Sequence, residues 1–493
     1  MLRVRKKANL EATQTAFPHQ LEAFEAAKDL PYSAVFHEQG LGKTKIGLDL
    51  ALFWLAQGVV DSVLIVTKKS LIANWQSEVA AHSHLRPRVL SQDRKSNYYA
   101  FNSPAVLYLA HYEALLSERR RFALFLKTRK VGVLLDESHK IKNPAARVSV
   151  ALHDLSESFV RRVIMTGTPI ANRPFDLWSQ IRFLDGGEAL GHDFAAFKRD
   201  LDLSNELGQD AKRAASFASG VEALFERIRA FSIRETKDSA GLKLPNKTVR
   251  NLDCDLEPRQ AELYDQFREE LAAIVVQGGK PVLDDAELLL KRLMRLVQVA
   301  SNPAMVDQSY RREPGKLLPL ESLVQQTMDS GEKIIVWTSF TENADFLGRH
   351  LKPYGSCIVH GALSIAVREQ ALAAFRQDPA CRVLVATPGA AKEGLTLTVA
   401  NHAVFYDRSF SLDDYLQAQD RIHRISQERA CFVTNLVAMN TIDGWVDALL
   451  SAKNLAAQLG QGDIARNEYD AQADYAFGTM LRDVLGLEDV EET

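Results

Sequence analysis

Short apolar runs that alternate with helical patterns are the feature of this sequence that most constrains its fold. Short runs that are apolar toward both faces are typical of buried parallel strands joined by crossover helices. They occur in two groups, at residues 63–66, 105–109, 131–135 and 163–165, and at residues 333–337, 357–359, 382–386, 402–406 and 431–437. The sequence therefore predicts an α/β protein with two doubly wound parallel-sheet domains.

The stretch between the two groups has a different pattern. From about residue 186 to residue 320 the strand signal fades and long helical patterns replace it. We expect an N-terminal domain at 1–235 with a helical insertion at about 186–232, then a linker with a second helical insertion at 236–320. A C-terminal domain at 321–450 and a helical extension at 451–493, which ends in an acidic tail, complete the expected organisation.

Composition and charge exclude several classes of protein. A chain of 493 residues with 46% hydrophobic and 25% charged side chains can form several cores and is typical of soluble proteins. No apolar run approaches the roughly 18 residues of a membrane span, and the first residues lack the apolar core of a signal peptide, so we expect a cytoplasmic protein. The 60 Lys and Arg residues nearly balance the 63 Asp and Glu residues, so any nucleic-acid site must be a local groove. The four cysteines lack metal-ligand spacing and predict neither a zinc site nor a disulfide framework.

A glycine-rich segment with the sequence HEQGLGKT follows a predicted strand near the N-terminus. Gly40 and Gly42 would let the backbone wrap closely around phosphates, and Lys43 would reach the β and γ oxygens of a nucleotide. Thr44 would hold magnesium at a helix start. The segment departs from the generic phosphate loop, because His37 stands where the first glycine would be.

A pair of carboxylates, Asp136 and Glu137, follows the third buried run of the first group. Asp136 would bind magnesium through water and Glu137 would orient an attacking water molecule. An isolated pair of this kind is more often a helix N-cap. Together with the glycine-rich segment, the pair predicts a site that hydrolyses a nucleotide.

Two further features fit such a site. Gln20 lies about twenty residues before the glycine-rich segment, and its amide can pair with both a donor and an acceptor on an adenine edge. Arg421 and Arg424, three residues apart, would share one face of a helix and stabilise charge on a transferred phosphate as arginine fingers. The alternative for the two arginines is a solvated basic helix.

These motifs resemble those of the Swi/Snf-type DNA translocases, a family within helicase superfamily 2. The family's phosphate loop reads EMGLGKT where this chain reads EQGLGKT. Further matches, which extend the resemblance over roughly residues 15–445, are Asn74-Trp75, His111-Tyr112-Glu113, DESHKIKN from Asp136, TGTPIAN from Thr166, Arg234-Glu235-Thr236-Lys237, Ser301-Asn302-Pro303, Ser339-Phe340, His360-Gly361, GLTL from Gly394, and Gln417 to Gln427.

The resemblance implies two tandem RecA-like domains with helical insertions that bind ATP and Mg²⁺. The implied catalytic residues are Lys43, Asp136, Glu137, Arg421 and Arg424. The implied ATP-binding residues are Gln20, Gly40, Leu41, Gly42, Lys43, Thr44, Lys45, Gly394, Arg421 and Arg424, with Thr44 and Asp136 on the magnesium ion. The implied nucleic-acid contacts are Lys68, Lys69, His111, Tyr112, Ser339, Gly394 and Thr396. For Lys68 and Lys69, ordinary solvated lysines are an equally good interpretation.

The implied function is ATP-dependent translocation along double-stranded DNA, with remodelling of DNA or of DNA–protein complexes. Contacts to phosphates rather than base edges would make binding tolerant of sequence. One alternative is a strand-separating or branch-migrating DNA helicase. Another is a partner-gated ATPase subunit of a larger complex, such as an anti-phage defence or repair assembly. We expect a protein partner to supply targeting, no membrane association, and an origin in a bacterial or phage-infected cell.

Overall fold

A computed structural model describes residues 8–91, 93–102, 105–202, 211–242, 244–277, 280–281, 286–391, 397–473 and 484. The chain divides into two compact units. The first comprises Met1–Asp202, Ala215–Leu242 and Ala456–Tyr469, and the second comprises Leu203–Ala214, Lys243–Leu455 and Asp470–Thr493. The expected acidic tail, together with Gly394 and Thr396, lies outside the described residues.

The first unit is built around a parallel sheet of seven strands in its described part. The strands are β1 (Tyr32–Val35), β2 (Ser62–Thr67), β3 (Arg88–Leu90), β4 (Leu107–His111), β5 (Val131–Asp136), β6 (Arg161–Met165) and β7 (Ser232–Ile233). Their order across the sheet is β3-β4-β2-β5-β6-β1-β7, and neighbouring strands run parallel. β2 and β5 are buried along their whole length because helices cover both faces of the sheet, as parallel sheets require.

Helices connect these strands. They are α1 (Pro18–Ala27), α2 (Lys43–Ala56), α3 (Ile72–His82), α4 (Arg94–Asn102), α5 (Tyr112–Ser117), α6 (Arg119–Thr128), α7 (Arg147–Leu155), α8 (Leu177–Asp185), α9 (Phe194–Asp200) and α10 (Ala211–Ile228). One core cluster packs α2 and α3 against the sheet, with Trp54 and Trp75 as its largest side chains. Helices α9 and α10 fall within the insertion expected at about 186–232.

The second unit contains the other parallel sheet, with strand order β12-β13-β11-β14-β15-β8. Its strands are β8 (Lys247–Cys254), β11 (Ile334–Trp337), β12 (Ser356–Val359), β13 (Val383–Ala386), β14 (His402–Phe405) and β15 (Cys431–Ala438), and a separate short ribbon pairs β9 (Val276–Gln277) with β10 (Lys280–Pro281). Alternate residues of β11 enter two different core clusters, Ile334 and Val336 on one face and Ile335 and Trp337 on the other. Both faces are therefore covered, and the predicted fold class of two doubly wound parallel-sheet domains is confirmed.

The helices of the remaining chain are α11 (Pro258–Val275), α12 (Ala286–Ser301), α13 (Leu317–Asp329), α14 (Thr341–His350), α15 (Ile365–Gln377), α16 (Pro388–Ala391), α17 (Leu412–Gln419), α18 (Ile442–Gln461) and α19 (Arg466–Gln472). Strand β8 corrects the expected boundaries, because it pairs with β15 along its whole length. The second unit thus begins well before residue 321, and 236–320 is not a separate linker. Most side chains of β8 are exposed, so the strand carries little apolar signal.

Parallel strands bring the residues that follow them to one edge of the sheet, where ligands of α/β proteins bind. In the first unit, Thr67 at the end of β2 pairs with His111 at the end of β4, and Asp136 at the end of β5 pairs with Met165 of β6. The glycine-rich segment follows β1, which pairs with β6. The motifs predicted from sequence therefore share one edge of the first sheet. Among the described residues, no helix combines the length and apolarity needed to cross a membrane.

Candidate functional site

The glycine-rich segment forms a tight loop that ends at the first turn of α2. Gly40 and Gly42 have φ angles of 92° and 74°, in the left-handed region that residues with a Cβ rarely adopt. A Cβ at Gly42 would also lie 2.2 Å from Nε2 of Gln20. Lys43 and Thr44 are the first residues of α2, where the positive end of the helix dipole favours an anion. The loop has the conformation of a phosphate-binding loop.

Lys43 points back into this loop. Its ammonium donates to the carbonyl oxygens of His37 at 2.8 Å and Glu38 at 3.2 Å, and the side chain is buried. Lys45, which the sequence predicts as an ATP-binding residue, has its ammonium 2.6 Å from a carboxylate oxygen of Asp49 on the same helix. This ion pair holds the Lys45 side chain along α2, and the ATP contacts predicted for Lys43 and Lys45 stay predictions.

The side chains of Gln20 and His19 support the loop from α1. Gln20 donates through Nε2 to the carbonyl of Leu41 at 3.2 Å, and its Oε1 accepts from the backbone N–H of Phe17 at 3.0 Å. The ring of His19 lies 3.0 Å from the same Leu41 carbonyl oxygen. Gln20 thus has a structural contact with the phosphate loop in addition to the adenine contact predicted for it. Leu41 is fully buried, so it would meet a nucleotide through its backbone.

His37 is buried beside the Lys43 ammonium. Burial, followed by the charge of Lys43, lowers the pKa of His37 to about 4. The imidazole is therefore neutral at pH 7 and adds no charge to the loop. Because the charged form is excluded from this position, acid must destabilise the first unit through His37.

A pH-dependent loss of stability is expected from His37. Its pKa is about 4 folded against 6.5 unfolded, so its contribution is complete above pH 6.5 and is lost as pH falls toward 4, to a total of about 3 kcal/mol. Between about pH 7.5 and pH 5.5 the free energy of unfolding should fall by about 1 kcal/mol more for the wild type than for His37→Gln. Urea unfolding followed by tryptophan fluorescence at the two pH values measures this difference. Equal losses in both proteins would contradict the expectation.

The backbone at Glu137 is strained. Glu137 has φ 53° and ψ 49°, and the only other described residue with a side chain and positive φ is Asn440. Such outliers cost free energy and persist where the surrounding structure holds them, often at functional sites. The turn begins where β5 ends, and it sets the positions of the Asp136 and Glu137 carboxylates. Burial, and then the neighbouring Glu137 carboxylate, raise the pKa of Asp136 above its usual range.

Three side chains hold Asp136. Its Oδ2 accepts from the indole N–H of Trp75 at 2.7 Å and from the hydroxyl of Thr67 at 2.9 Å. Its main-chain carbonyl accepts from the hydroxyl of Tyr112 at 2.8 Å. No sequence pattern indicated these roles, although Asn74-Trp75 and His111-Tyr112 are among the family matches. A Trp placed shortly after a strand end is the one local signal that could have pointed to this support.

The ring of His139 contacts side chains that follow two other strands. Lys68 donates to its Nε2 at 2.9 Å, and its Nδ1 lies 3.2 Å from the Thr166 hydroxyl and 3.3 Å from Oε2 of Glu137. Since an ammonium can only donate, Nε2 must be the acceptor and the neutral ring carries its proton on Nδ1. His139 therefore joins the end of β2 to the carboxylate pair and to the loop after β6.

Two residues that follow β7 hold the start of the phosphate loop. Arg234 donates to the Phe36 carbonyl at 2.5 Å and forms a two-pronged pair with Asp463 at 2.9 and 2.6 Å. Lys237 pairs with Glu38 through its ammonium at 3.2 Å and through its backbone N–H at 2.8 Å. Both lie in the Arg-Glu-Thr-Lys match, for which the sequence indicated no role.

The candidate polymer contacts of the first unit differ in exposure. Lys69 is exposed and Lys68 is half-buried, at the carboxyl end of β2. His111 is buried, with Nδ1 3.0 Å from a carboxylate oxygen of Glu113. Tyr112 is fully buried, and the polymer contact predicted for it stays a prediction. Its hydroxyl supports Asp136.

In the second unit, Arg421 and Arg424 lie in a turn and not on the helix predicted for them, because α17 ends at Gln419. Gln427 closes the turn, since its amide nitrogen donates to the carbonyls of Thr398, Ala400 and Ile422 at 3.3, 2.9 and 3.0 Å. Arg421 is buried and Arg424 is half-buried. The guanidiniums are thus positioned by a fixed turn rather than by helical spacing.

A buried carboxylate organises the segment that carries Ser339. Asp407, just after β14, accepts from the Ser339 backbone N–H at 2.6 Å and from the Thr338 hydroxyl at 2.5 Å. It also accepts from Ser301 at 2.9 Å and from Asn343 at 3.1 Å. Four donors satisfy this buried charge, as burial requires. The network fixes the Ser339 backbone at the carboxyl edge of the second sheet.

The residues present fit a magnesium ion that arrives with a nucleotide. Thr44 and Asp136 supply a hydroxyl and a carboxylate oxygen, the ligand types that Mg²⁺ prefers when substrate phosphates and water complete its shell. Within the described part of the chain, no cluster of three or more His, Cys, Asp or Glu side chains could hold a metal on its own.

The class of protein follows from three features. They are the phosphate loop, the carboxylate pair at the same sheet edge, and a second parallel-sheet unit with a fixed arginine turn. Together they define a helicase-like P-loop ATPase. Comparison with protein families agrees with this class. The SNF2-related domain matches residues 33–305, and the helicase conserved C-terminal domain matches residues 315–426. The chain belongs to the SNF2-related family of superfamily 2 helicase-like ATPases.

Several relatives are similar over most of this chain. The YwqA protein of Bacillus subtilis is 28% identical over 84% of this chain and 45% of its own length. The TATA-binding protein-associated factor BTAF1 of Arabidopsis thaliana is 25% identical over 84% of this chain and 24% of its own length. The DNA repair and recombination protein RAD54-like of Danio rerio is 25% identical over 91% of this chain and 66% of its own length. The chain thus spans less than half of the first two relatives and about two thirds of the third.

Two solved structures of the Sulfolobus solfataricus SWI2/SNF2 ATPase core are also similar. The core in complex with dsDNA is 24% identical and covers 96% of this chain and 99% of its own, with a TM-score of 0.41. The core domain is 25% identical and covers 99% of this chain and 98% of its own, with a TM-score of 0.42.

Proposed function

We propose that this protein is an ATP-dependent translocase on double-stranded DNA, which hydrolyses ATP to move along the duplex and to remodel DNA or DNA–protein complexes. The observation that carries the proposal is the junction between β2 and β5. There, Lys68 and Thr67, at the end of β2, bond to His139 and Asp136, at the end of β5. Candidate polymer contacts and ATP-site residues are thus linked by hydrogen bonds within one unit. Membership of the SNF2-related family supports the proposal, and one relative is described as a DNA repair and recombination protein.

The residues of the first unit have distinct tasks in this proposal. Lys43 neutralises charge on the β and γ phosphates, and Glu137 orients the attacking water. Thr44 and Asp136 would hold Mg²⁺, which would supply charge neutralisation at the phosphate oxygens. Gln20 recognises the adenine edge while it braces the loop. The strained turn at Glu137 fixes the backbone between the two carboxylates.

In the second unit we assign to Arg421 and Arg424 the stabilisation of the negative charge that develops on the transferred phosphate. A guanidinium offers several donors in a rigid plane and stays charged at any physiological pH. Gln427 holds the backbone of the turn, Arg421 is buried, and Nε of Arg424 donates to the carbonyl of Asp420 at 3.0 Å. Less conformational entropy is then lost when they engage a phosphate.

The polymer contacts are proposed to be contacts to phosphates. Lys68 and Lys69 supply cationic side chains at the carboxyl end of β2, and Ser339 supplies a backbone position fixed by Asp407. Phosphate contacts position a protein on a duplex without reading its sequence. A protein partner that supplies targeting completes the proposal.

ATP hydrolysis measured without polymer and with duplex DNA, single-stranded DNA or RNA tests the function. Duplex DNA is expected to stimulate hydrolysis most, and the affinity for DNA is expected to fall steeply between about 50 and 200 mM salt, since phosphate contacts release counterions. Displacement of a third strand from a duplex should then require ATP. Failure of duplex DNA to stimulate would sink the proposal, and release of a strand from a forked duplex would favour a strand-separating helicase.

A further inference from the structure

Two buried donors converge on one carboxylate oxygen of Asp136. Trp75 Nε1 lies 2.7 Å and Thr67 Oγ1 lies 2.9 Å from Oδ2. Trp75 is 1% exposed and Thr67 is 0% exposed, so water does not compete for these bonds. An indole N–H can only donate, which requires Oδ2 to act as an acceptor. With two donors on Oδ2, the oxygen left to face a ligand is Oδ1.

The main chain of Asp136 is held as well. The Tyr112 hydroxyl donates to its carbonyl oxygen at 2.8 Å, and Tyr112 is fully buried. The supports come from three different places, namely the end of β2, the first turns of α3, and the start of α5. Neither the carboxylate nor the main chain of Asp136 can therefore rotate without breaking a buried hydrogen bond.

We propose that Trp75 and Thr67 are positioning residues, which hold Oδ2 of Asp136 so that Oδ1 faces the hydration shell of Mg²⁺. This inference rests on the proposed role of Asp136 as a magnesium ligand. Groups that hydrogen-bond to a metal-binding side chain set its orientation, and their removal typically weakens metal binding by about 10- to 100-fold. Trp75 and Thr67 flank Lys68 and Lys69, so one segment both positions the metal ligand and carries the proposed phosphate contacts.

Packing of the core is the competing explanation for Trp75, because its ring lies in the same cluster as Val79 and Leu71. The chain contains a matched control in Trp54. Trp54 is also 1% exposed and belongs to the same cluster, but its indole N–H donates to the carbonyl of Lys28 at 2.9 Å. Trp→Phe at the two positions removes the same group from the same core, and only one of the two donors acts on Asp136.

Binding of Mn²⁺ in the presence of ADP tests the inference without turnover. Mn²⁺ prefers the same oxygen ligands as Mg²⁺, and the unbound ion is counted by its electron paramagnetic resonance signal. For the full chain, Trp75→Phe and Thr67→Val are each expected to raise the Mn²⁺ dissociation constant about tenfold or more. Thr67→Ser, which keeps the hydroxyl, and Trp54→Phe are expected to bind Mn²⁺ as the wild type does.

Equal weakening in Trp75→Phe and Trp54→Phe would show a loss of packing only and would overturn the inference, as would unchanged affinity in Trp75→Phe. If Trp75→Phe does not fold, the comparison of Thr67→Val with Thr67→Ser decides. Asp136→Ala distinguishes a failure of the positioning role from a failure of the magnesium assignment. If the wild type with ADP binds Mn²⁺ no more tightly than Asp136→Ala, the assignment of Asp136 to the metal is itself wrong, whatever the positioning variants do.

Discussion

Replacing Arg421 with alanine is expected to lower kcat for ATP hydrolysis by about 10³- to 10⁵-fold, the range associated with arginine fingers in phosphoryl transfer. The guanidinium would act on charge that develops only in the transition state, so binding of ATP should change much less than kcat. Arg421→Lys should recover little activity, because an ammonium cannot reproduce the planar fork of donors. Steady-state hydrolysis, together with equilibrium binding of a fluorescent ATP analogue, measures both quantities.

The control for this experiment is Arg376→Ala, since Arg376 is exposed on α15 and is not part of the turn. Arg421 is 3% exposed, so thermal unfolding of each variant must accompany the kinetics. A kcat within tenfold of the wild type in a folded Arg421→Ala protein would remove Arg421 from the catalytic set. Activity retained in Arg421→Lys would reduce its role to that of a point charge.

Lys43→Ala is expected to lower kcat by about 10²- to 10³-fold, the cost of removing one preorganised donor from developing charge. ATP affinity should fall too, because the ammonium meets the β and γ phosphates in both the ground state and the transition state. The buried ammonium also donates to the carbonyls of His37 and Glu38, so thermal unfolding of the variant must accompany the kinetics. Hydrolysis with saturating duplex DNA and direct ATP binding check the two expectations.

Lys127→Ala is a suitable control for Lys43→Ala, because Lys127 is exposed on α6 of the same unit. Both variants remove one lysine charge, but only one is in the phosphate loop. Stimulated hydrolysis that survives in Lys43→Ala would contradict the assignment of the glycine-rich segment as the ATP site. Loss of hydrolysis in both variants would point to the net charge of the unit instead.

Much of the fold follows from local sequence. The runs at 63–66 and 131–135 lie within β2 and β5, because a short segment that is apolar on both faces is typical of a strand in a covered parallel sheet. Strand β8 could not be predicted in this way. Its side chains are mostly exposed, and it is a strand because β15 offers a partner 184 residues further along the chain. The sequence of β8 alone therefore does not indicate that it pairs with β15.

The phosphate loop was recognisable because its residues are contiguous and their chemistry requires that spacing. Gly40 and Gly42 adopt positive φ, as the loop requires, and Lys43 begins the helix. The arginine turn was recognisable only in part. The types of residue at 421 and 424 indicated the chemistry, whereas the helix assumed for them ends at Gln419. Their setting depends on Gln427 and on carbonyls from a neighbouring loop.

What the sequence determined by itself is therefore the set of buried strands, the fold class and the residues of the phosphate loop and carboxylate pair, since each depends on short-range pattern. Only the tertiary structure decided that Trp75 and Thr67 hold Asp136, that Lys68 bonds to His139, and that Tyr112 lies inside the protein. Trp75 and Asp136 are separated by 61 residues. Contacts over such separations arise where crossover connections bring the ends of parallel strands to one edge, and that geometry is a property of the whole sheet and not of any segment within it.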